Sequence, residues 1–210
     1  VRSRRQRQMC IRDSSTSGPI GLVAPKIYEG LFDYDNDGKI IYVLAESHSV
    51  SSDGKTVTFK LRKGVKWHDG KSFTSDDVAF TVMNVLKKFH PRGPNSFREV
   101  TSIDTPDSHT AIFNLRNPAP YMLRALSAYE SPIVPKHLLE GTDIKSAKLG
   151  NNPVGTGPFK FVEWKKGQYV RLDKNKNYWR PGLPYLDRVV GRFVPDLSLI
   201  HISEPTRRTP

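Results

Sequence analysis

The feature that most constrains the fold is a strand pattern followed closely by a helix pattern, between residues 56 and 91. A strand with one buried face is predicted where apolar residues alternate with polar ones: Val57, Phe59 and Leu61. Thr74, followed three residues later by Asp77, predicts a capped helix start. Apolar residues then recur at helical spacing: Val78, Val82, Val85, Leu86 and Phe89. Pro91 ends this helix. Because strand and helix patterns occur together, the chain is predicted to be mixed α/β (α+β).

Other segments extend this prediction along the chain. Short helices are expected at 24–31, 118–129 and 135–140, a strand at 111–115, a hairpin over 159–172 and a last strand at 189–194. The acidic run 33–38 opens like a calcium loop, but its twelfth position is Leu44 where an EF-hand needs a bidentate glutamate. A turn is the better interpretation.

The two ends of the chain are related to each other through their codons. Residues 9–14 can be encoded by ATG TGT ATA AGA GAC AG, and the reverse complement of that string encodes residues 197–202. Folding gives no reason for inverted nucleotide copies, whereas an adapter inserted by a transposase during sequencing produces them. We therefore expect segments 1–14 and 197–210 to be translated adapter, and 15–196 to be the natural part, open at both ends.

The net charge of +12 suggests a basic, nucleic-acid-associated module. Five arginines against one aspartate lie in the first fourteen residues, within the expected adapter. Aromatic residues scattered among Lys and Arg are a possible single-strand-binding platform: Trp67, Phe73, Trp164, Tyr178, Trp179 and Tyr185. Because the charge also alternates along strands, solvated strand edges explain it equally well, and no nucleic-acid partner is expected.

No local motif predicts catalysis, a metal site or a cofactor. The histidines of segment 15–196 are far apart in sequence, the single cysteine is Cys10, and no nucleophile elbow occurs. Asp76 and Asp77 diverge by about 100° on a helix, so capping is preferred to a catalytic pair. Gly155-Thr156-Gly157 lacks the later glycine of a phosphate loop. No apolar run is long enough for a transmembrane helix.

Several stretches, in this order and spacing, resemble the family 5 extracytoplasmic solute-binding proteins, the peptide and nickel class of ABC-transporter receptors. They are IYEGLF (27–32), SDGKTVTFKLRKGVKWHDG (52–70), FTSDDV (73–78), PVGTGPF (153–159), NYW (177–179) and PYLD (184–187). The resemblance implies a partial lobe of periplasmic-binding-protein type II, with an inserted subdomain. It also implies a non-enzymatic receptor outside the cytoplasmic membrane, monomeric when complete, that passes a small solute to a membrane permease. A peptide is the expected solute, with nickel or another non-peptide solute as the alternative.

The resemblance also implies site residues. Tyr28, Glu29, Gly30 and Leu31 look like the stretch that edges the ligand cleft, where Glu29 would meet a ligand cation. A helix end packed on a sheet is the alternative for this stretch. Gly155, Thr156 and Gly157 look like a structural crossing from the inserted subdomain back to the main lobe.

Overall fold

The computed structural model describes residues 18–144 and 152–192. The expected adapter segments, 1–14 and 197–210, lie outside these residues, as does the end of the strand predicted at 189–194. Within the described ranges, no helix has the length and apolarity needed to cross a membrane.

The described strands form three antiparallel sheets. The first pairs β1 (Phe32–Tyr34) with β2 (Ile40–Tyr42). The second has the order β3-β4-β6-β5 and consists of β3 (Ala45–Val50), β4 (Thr56–Leu61), β5 (Val100–Asp107) and β6 (Thr110–Leu115). The third has the order β7-β8-β9 and consists of β7 (Phe159–Lys165), β8 (Tyr169–Lys174) and β9 (Arg188–Arg192). The predicted strands at 56–62 and 111–115 and the hairpin over 159–172 are thus confirmed.

The helices lie between and beside these sheets. Helix α1 spans Gly18–Ile27, and helix α2 consists of the consecutive segments Ser75–Phe80, Thr81–Leu86, which is π-helical, and Lys87–Phe89. Three single turns follow: α3 (Gly93–Ser96), α4 (Tyr121–Arg124) and α5 (Lys136–Leu139). The class is therefore mixed α/β, as predicted, with helices packed on antiparallel sheets.

Helix α2 contributes to two hydrophobic cores. Val78, Val82 and Leu86 pack in the core with the four-stranded sheet. Phe80 and Val85, on another face of the same helix, pack in the core that contains α1 and the three-stranded sheet. A helix that is apolar on two faces is expected to be buried on both sides, and α2 is placed accordingly.

Asp77 caps α2, as the sequence predicts. Its Oδ2 accepts the backbone N–H of Thr74 at 2.9 Å and the Trp67 Nε1–H at 3.3 Å, while its Oδ1 accepts the Lys136 N–H at 2.9 Å. Asp76, the adjacent carboxylate, is exposed and accepts the Thr105 hydroxyl. Both carboxylates also contact Lys136, Asp77 through the backbone N–H and Asp76 through the ammonium group at 3.5 Å, so Asp77 joins the start of α2 to α5 from a buried position.

Replacing Asp77 with alanine is expected to lower the free energy of unfolding by about 2 kcal/mol, because the buried indole N–H of Trp67 and the part-buried N–H groups of Thr74 and Lys136 lose their acceptor. The matched change Asp76→Ala is expected to have an effect below about 0.5 kcal/mol, because that carboxylate is exposed. Urea unfolding, followed by tryptophan fluorescence, measures both. Equal losses in the two variants would contradict the capping role of Asp77.

Two predicted helices are wrong in extent. The helix predicted at 24–31 ends at Ile27, since the carbonyls of Ile27, Glu29 and Gly30 accept hydrogen bonds from distant backbone N–H groups instead of continuing the helix. The helix predicted at 118–129 is reduced to the single turn α4. The backbone at 126–128 instead packs directly against Gly30, where an added Cβ would lie 2.5 Å from the Ala128 nitrogen.

The acidic run 33–38 forms a turn from Asp35 onward, as predicted, while its first two residues belong to β1. One oxygen of Asp35 accepts the backbone N–H groups of Asp37 and Lys39, at 2.9 and 2.8 Å. Gly38 has a φ of +76°, which suits the tight connection between β1 and β2. Among the residues that the structure describes, no group of three or more His, Cys, Asp or Glu side chains is arranged to hold a metal ion.

Candidate functional site

The loop 155–157 packs against Ile27 at the end of α1, directly before the segment 28–31, and Gly155 also lies beside the Tyr28 ring. The Gly157 N–H donates to the Ile27 carbonyl at 2.8 Å. A Cβ on Gly155 would lie 1.9 Å from the Ile27 carbonyl oxygen, and one on Gly157 would lie 2.6 Å from it. Only glycine allows both backbones to approach so closely, so the end of α1 is seated on this loop.

His68 contacts the same loop through both of its ring nitrogens. The Gly155 N–H donates to the His68 Nδ1 at 3.3 Å, and the His68 Nε2 lies 2.9 Å from the Gly157 carbonyl. An Nδ1 that accepts a hydrogen bond places the proton of a neutral ring on Nε2, which can then donate to the carbonyl. Burial lowers the pKa of His68 to about 4, which favours this neutral form at neutral pH.

Asn175 links the loop to the turn that follows β8. Its side-chain Nδ2 donates to the Gly157 carbonyl at 3.1 Å, and its backbone N–H donates to the Pro158 carbonyl at 2.8 Å. The Asn175 carbonyl accepts the Tyr178 N–H at 3.1 Å. This turn therefore places Tyr178 and Trp179 beside the end of α1.

The Glu29 carboxylate lies at the centre of the site. Its Oε1 accepts the Tyr178 hydroxyl at 2.6 Å, and its Oε2 accepts the Trp179 indole N–H at 2.9 Å. Burial raises the pKa of Glu29 above its ordinary value, against the opposing effects of the hydrogen bonds from Tyr178 and Trp179 and of the positive charge of Arg180. Burial and the nearby Glu29 raise the pKa of the Tyr178 hydroxyl, which therefore keeps its proton and donates.

Two guanidinium groups contact the indole of Trp179. The Cζ of Arg62 lies 4.4 Å from the ring centroid, and that of Arg180 lies 4.7 Å from it. Both distances are within the range of a cation–π contact. Arg62 also donates to the Val43 carbonyl at 3.0 Å, so the strand region around 43 and 62 is joined to the turn at 178–180.

The candidate cleft residues are all buried in the described structure. Tyr28 and Leu31 have 0% exposure and Glu29 has 5%, and Gly30 packs against the backbone of 126–128. A contact between these residues and a ligand stays a prediction. The role of Gly155, Thr156 and Gly157 as a crossing between subdomain and lobe also stays a prediction. The structure shows only that this loop packs closely against Ile27.

The partners of Glu29 were missed at the sequence level. Tyr178 and Trp179 stand out in the sequence only as part of a family stretch and of an aromatic platform. Trp67 and Phe73 of that platform are 2% exposed in the core, whereas Tyr185 is 86% exposed, so these aromatic residues do not share one exposed surface. The burial of Glu29, which requires hydrogen-bond donors, is visible only in the structure.

The comparisons with known proteins agree with this architecture. The profile of the bacterial extracellular solute-binding proteins, family 5 (middle), matches residues 39–198. The glutathione-binding protein GsiB of Pectobacterium atrosepticum is 36% identical over 180 residues, which are 83% of this chain and 34% of that protein. The chain thus spans about a third of the length of the curated relatives it matches.

Solved structures give the same result. The oligopeptide-binding protein AppA of Bacillus subtilis, in complex with a nonapeptide, superposes with a TM-score of 0.82 and 32% identity, over 91% of this chain and 39% of that one. NikZ of Campylobacter jejuni, in complex with Ni(L-His), gives a TM-score of 0.81 and 29% identity, over 92% and 38% of the two chains. The fold is a partial periplasmic-binding-protein type II fold, and the chain belongs to the family 5 bacterial extracellular solute-binding proteins.

Proposed function

We propose that this chain is part of the substrate-binding component of an ABC importer. The complete receptor captures short peptides or similar solutes outside the cytoplasmic membrane and delivers them to a permease in that membrane. The observation that carries the proposal is the family match over residues 39–198. The solutes named for similar proteins, glutathione, a nonapeptide and Ni(L-His), support a small solute and keep a nickel complex as the alternative to a peptide.

A receptor of this kind works by differential binding to two states. Ligand contacts made from both lobes favour the closed state over the open one, and the permease then recognises the closed receptor. For this to work, each lobe must present its contacts on a rigid frame. The bond from the Gly157 N–H to the Ile27 carbonyl and the bonds from Tyr178 and Trp179 to the Glu29 carboxylate provide such a frame for the candidate cleft segment 28–31. The proposed role is binding, with no catalytic step.

Calorimetric titration of the complete receptor tests the proposal. Trialanine, glutathione and Ni(L-His) are the probes, with maltotriose as an uncharged comparison and a DNA duplex as the probe for the basic-module alternative. We expect one of the first three to bind with a dissociation constant on the order of 1 μM or lower. Binding of the duplex alone, weakening steeply with salt, would overturn the proposal in favour of a nucleic-acid-associated module.

A further inference from the structure

The position of the Glu29 carboxylate needs an explanation beyond packing. The residue is 5% exposed, and a buried carboxylate is costly unless its oxygens are hydrogen-bonded. Both oxygens are used, by donors that follow it by 149 and 150 residues in the chain. An apolar side chain would fill the space without needing these two partners. The two hydrogen bonds therefore indicate that the position of the segment 28–31 must be fixed.

The backbone of the same segment is fixed from several other directions. The Glu29 carbonyl accepts the Ile133 N–H at 3.0 Å, and the Gly30 carbonyl accepts the Leu44 N–H at 3.3 Å. Gly30 itself has no room for a Cβ beside the backbone of 126–128. The Glu29 side chain adds a further attachment, to the turn after β8, which no backbone bond of residues 28–31 supplies.

We propose that Tyr178 and Trp179 are positioning residues, which fix the 28–31 segment at the cleft edge by holding the Glu29 carboxylate turned away from the ligand. The inference rests on the proposed function and refines it. Glu29 then acts as the attachment point of the segment. It is then no counter-charge for a ligand cation, because the side chain is 5% exposed and directed to the Tyr178 and Trp179 donors.

The test uses the complete receptor with Tyr178→Phe, Glu29→Gln and the double variant. Tyr185→Phe is the matched control, because it makes the same change at a nearby side chain that is 86% exposed. Whichever of trialanine, glutathione and Ni(L-His) binds the unmodified receptor is titrated at a temperature well below the unfolding transitions. We expect Tyr178→Phe to weaken binding roughly fivefold, as for the loss of one buried hydrogen bond. Tyr185→Phe is expected to leave the affinity unchanged.

The double variant distinguishes positioning through Glu29 from an independent effect. If Tyr178 acts through the carboxylate, adding Tyr178→Phe to Glu29→Gln weakens binding by less than about twofold more. Amide exchange of peptides covering 28–31, measured without ligand, is expected to be faster in Tyr178→Phe than in Tyr185→Phe. Unchanged affinity and exchange in Tyr178→Phe, or fully additive losses, would overturn the proposal.

A second comparison separates positioning from direct ligand contact. Trialanine and N-acetyl-trialanine differ by the amino-terminal cation. Positioning predicts that Glu29→Gln weakens both by the same factor, whereas a loss confined to trialanine would show that Glu29 meets the cation directly and would refute the inference. If no probe binds the unmodified receptor, the proposed function fails and the inference falls with it; if probes bind and the variants do not differ, the inference alone fails.

Discussion

Replacing Gly155 with alanine is expected to lower the free energy of unfolding by about 3 kcal/mol or more, a loss typical of overpacking against rigid atoms. The added Cβ would lie 1.9 Å from the Ile27 carbonyl oxygen, which is backbone and cannot rotate away. Relief requires that α1 and the 155–157 loop separate, which breaks the bond from the Gly157 N–H to the same carbonyl. Chemical unfolding followed by tryptophan fluorescence measures the loss.

Gly191→Ala is the matched control for this variant. Gly191 lies in β9, and no atom is found within 4 Å of the Cβ that alanine would add there. Its effect is expected to stay below about 0.5 kcal/mol. If Gly155→Ala is as stable as Gly191→Ala, the close approach of the loop to Ile27 is incorrect, and with it the frame on which the candidate site rests.

The second large effect is a loss of stability in acid that depends on His68. Burial lowers its pKa from 6.5 to about 4, so between these values the unfolded chain binds the proton more readily than the folded chain. The contribution of the neutral ring is complete above pH 6.5 and is lost as the pH falls towards 4. The pKa difference corresponds to about 3 kcal/mol. We expect unfolding curves from pH 7 to pH 4 to show this decline.

His68→Gln is expected to flatten that decline, because a glutamine amide can still donate to the Gly157 carbonyl but does not titrate. His109→Gln serves as the control, since it removes a histidine at the turn between β5 and β6 and leaves the 155–157 loop untouched. The slope is expected to be flatter in His68→Gln than in His109→Gln over this pH range. Identical slopes in the His68 and His109 variants would show that the bonds of His68 to the loop do not depend on its protonation.

Elements with a clear periodicity could be predicted from the sequence. The alternation around Phe59 gave β4, and the capped helical spacing from Thr74 gave α2, because in both cases one face is buried against a core. Strand β5 was missed, since most of its residues are exposed and Pro106 interrupts the pattern. β5 lies at the edge of the β3-β4-β6-β5 sheet. An edge strand tolerates exposed residues and a proline, because one of its sides has no hydrogen-bonded neighbour.

The candidate site was predictable only in part. Family stretches pointed to Glu29 and to Gly155, but nothing local in the sequence links Glu29 to Tyr178 or His68 to Gly157. Such contacts depend on how the whole chain folds. The extent of the 24–31 helix failed for the same reason, since its carbonyls are taken by distant N–H groups that no local pattern reveals.

The separation of Glu29 from its donors also has a consequence for the order of folding. Tyr178 follows Glu29 by 149 residues, so at typical elongation rates it is added to the growing chain roughly 7 to 30 seconds after Glu29. Contacts of such long range are among the last to form, because the chain must first close a large loop. The candidate cleft edge would thus be completed late, after the local sheet β3-β4-β6-β5 has had time to assemble, and a nascent chain would leave Tyr28, which packs with β7 and β8, exposed to chaperones until then.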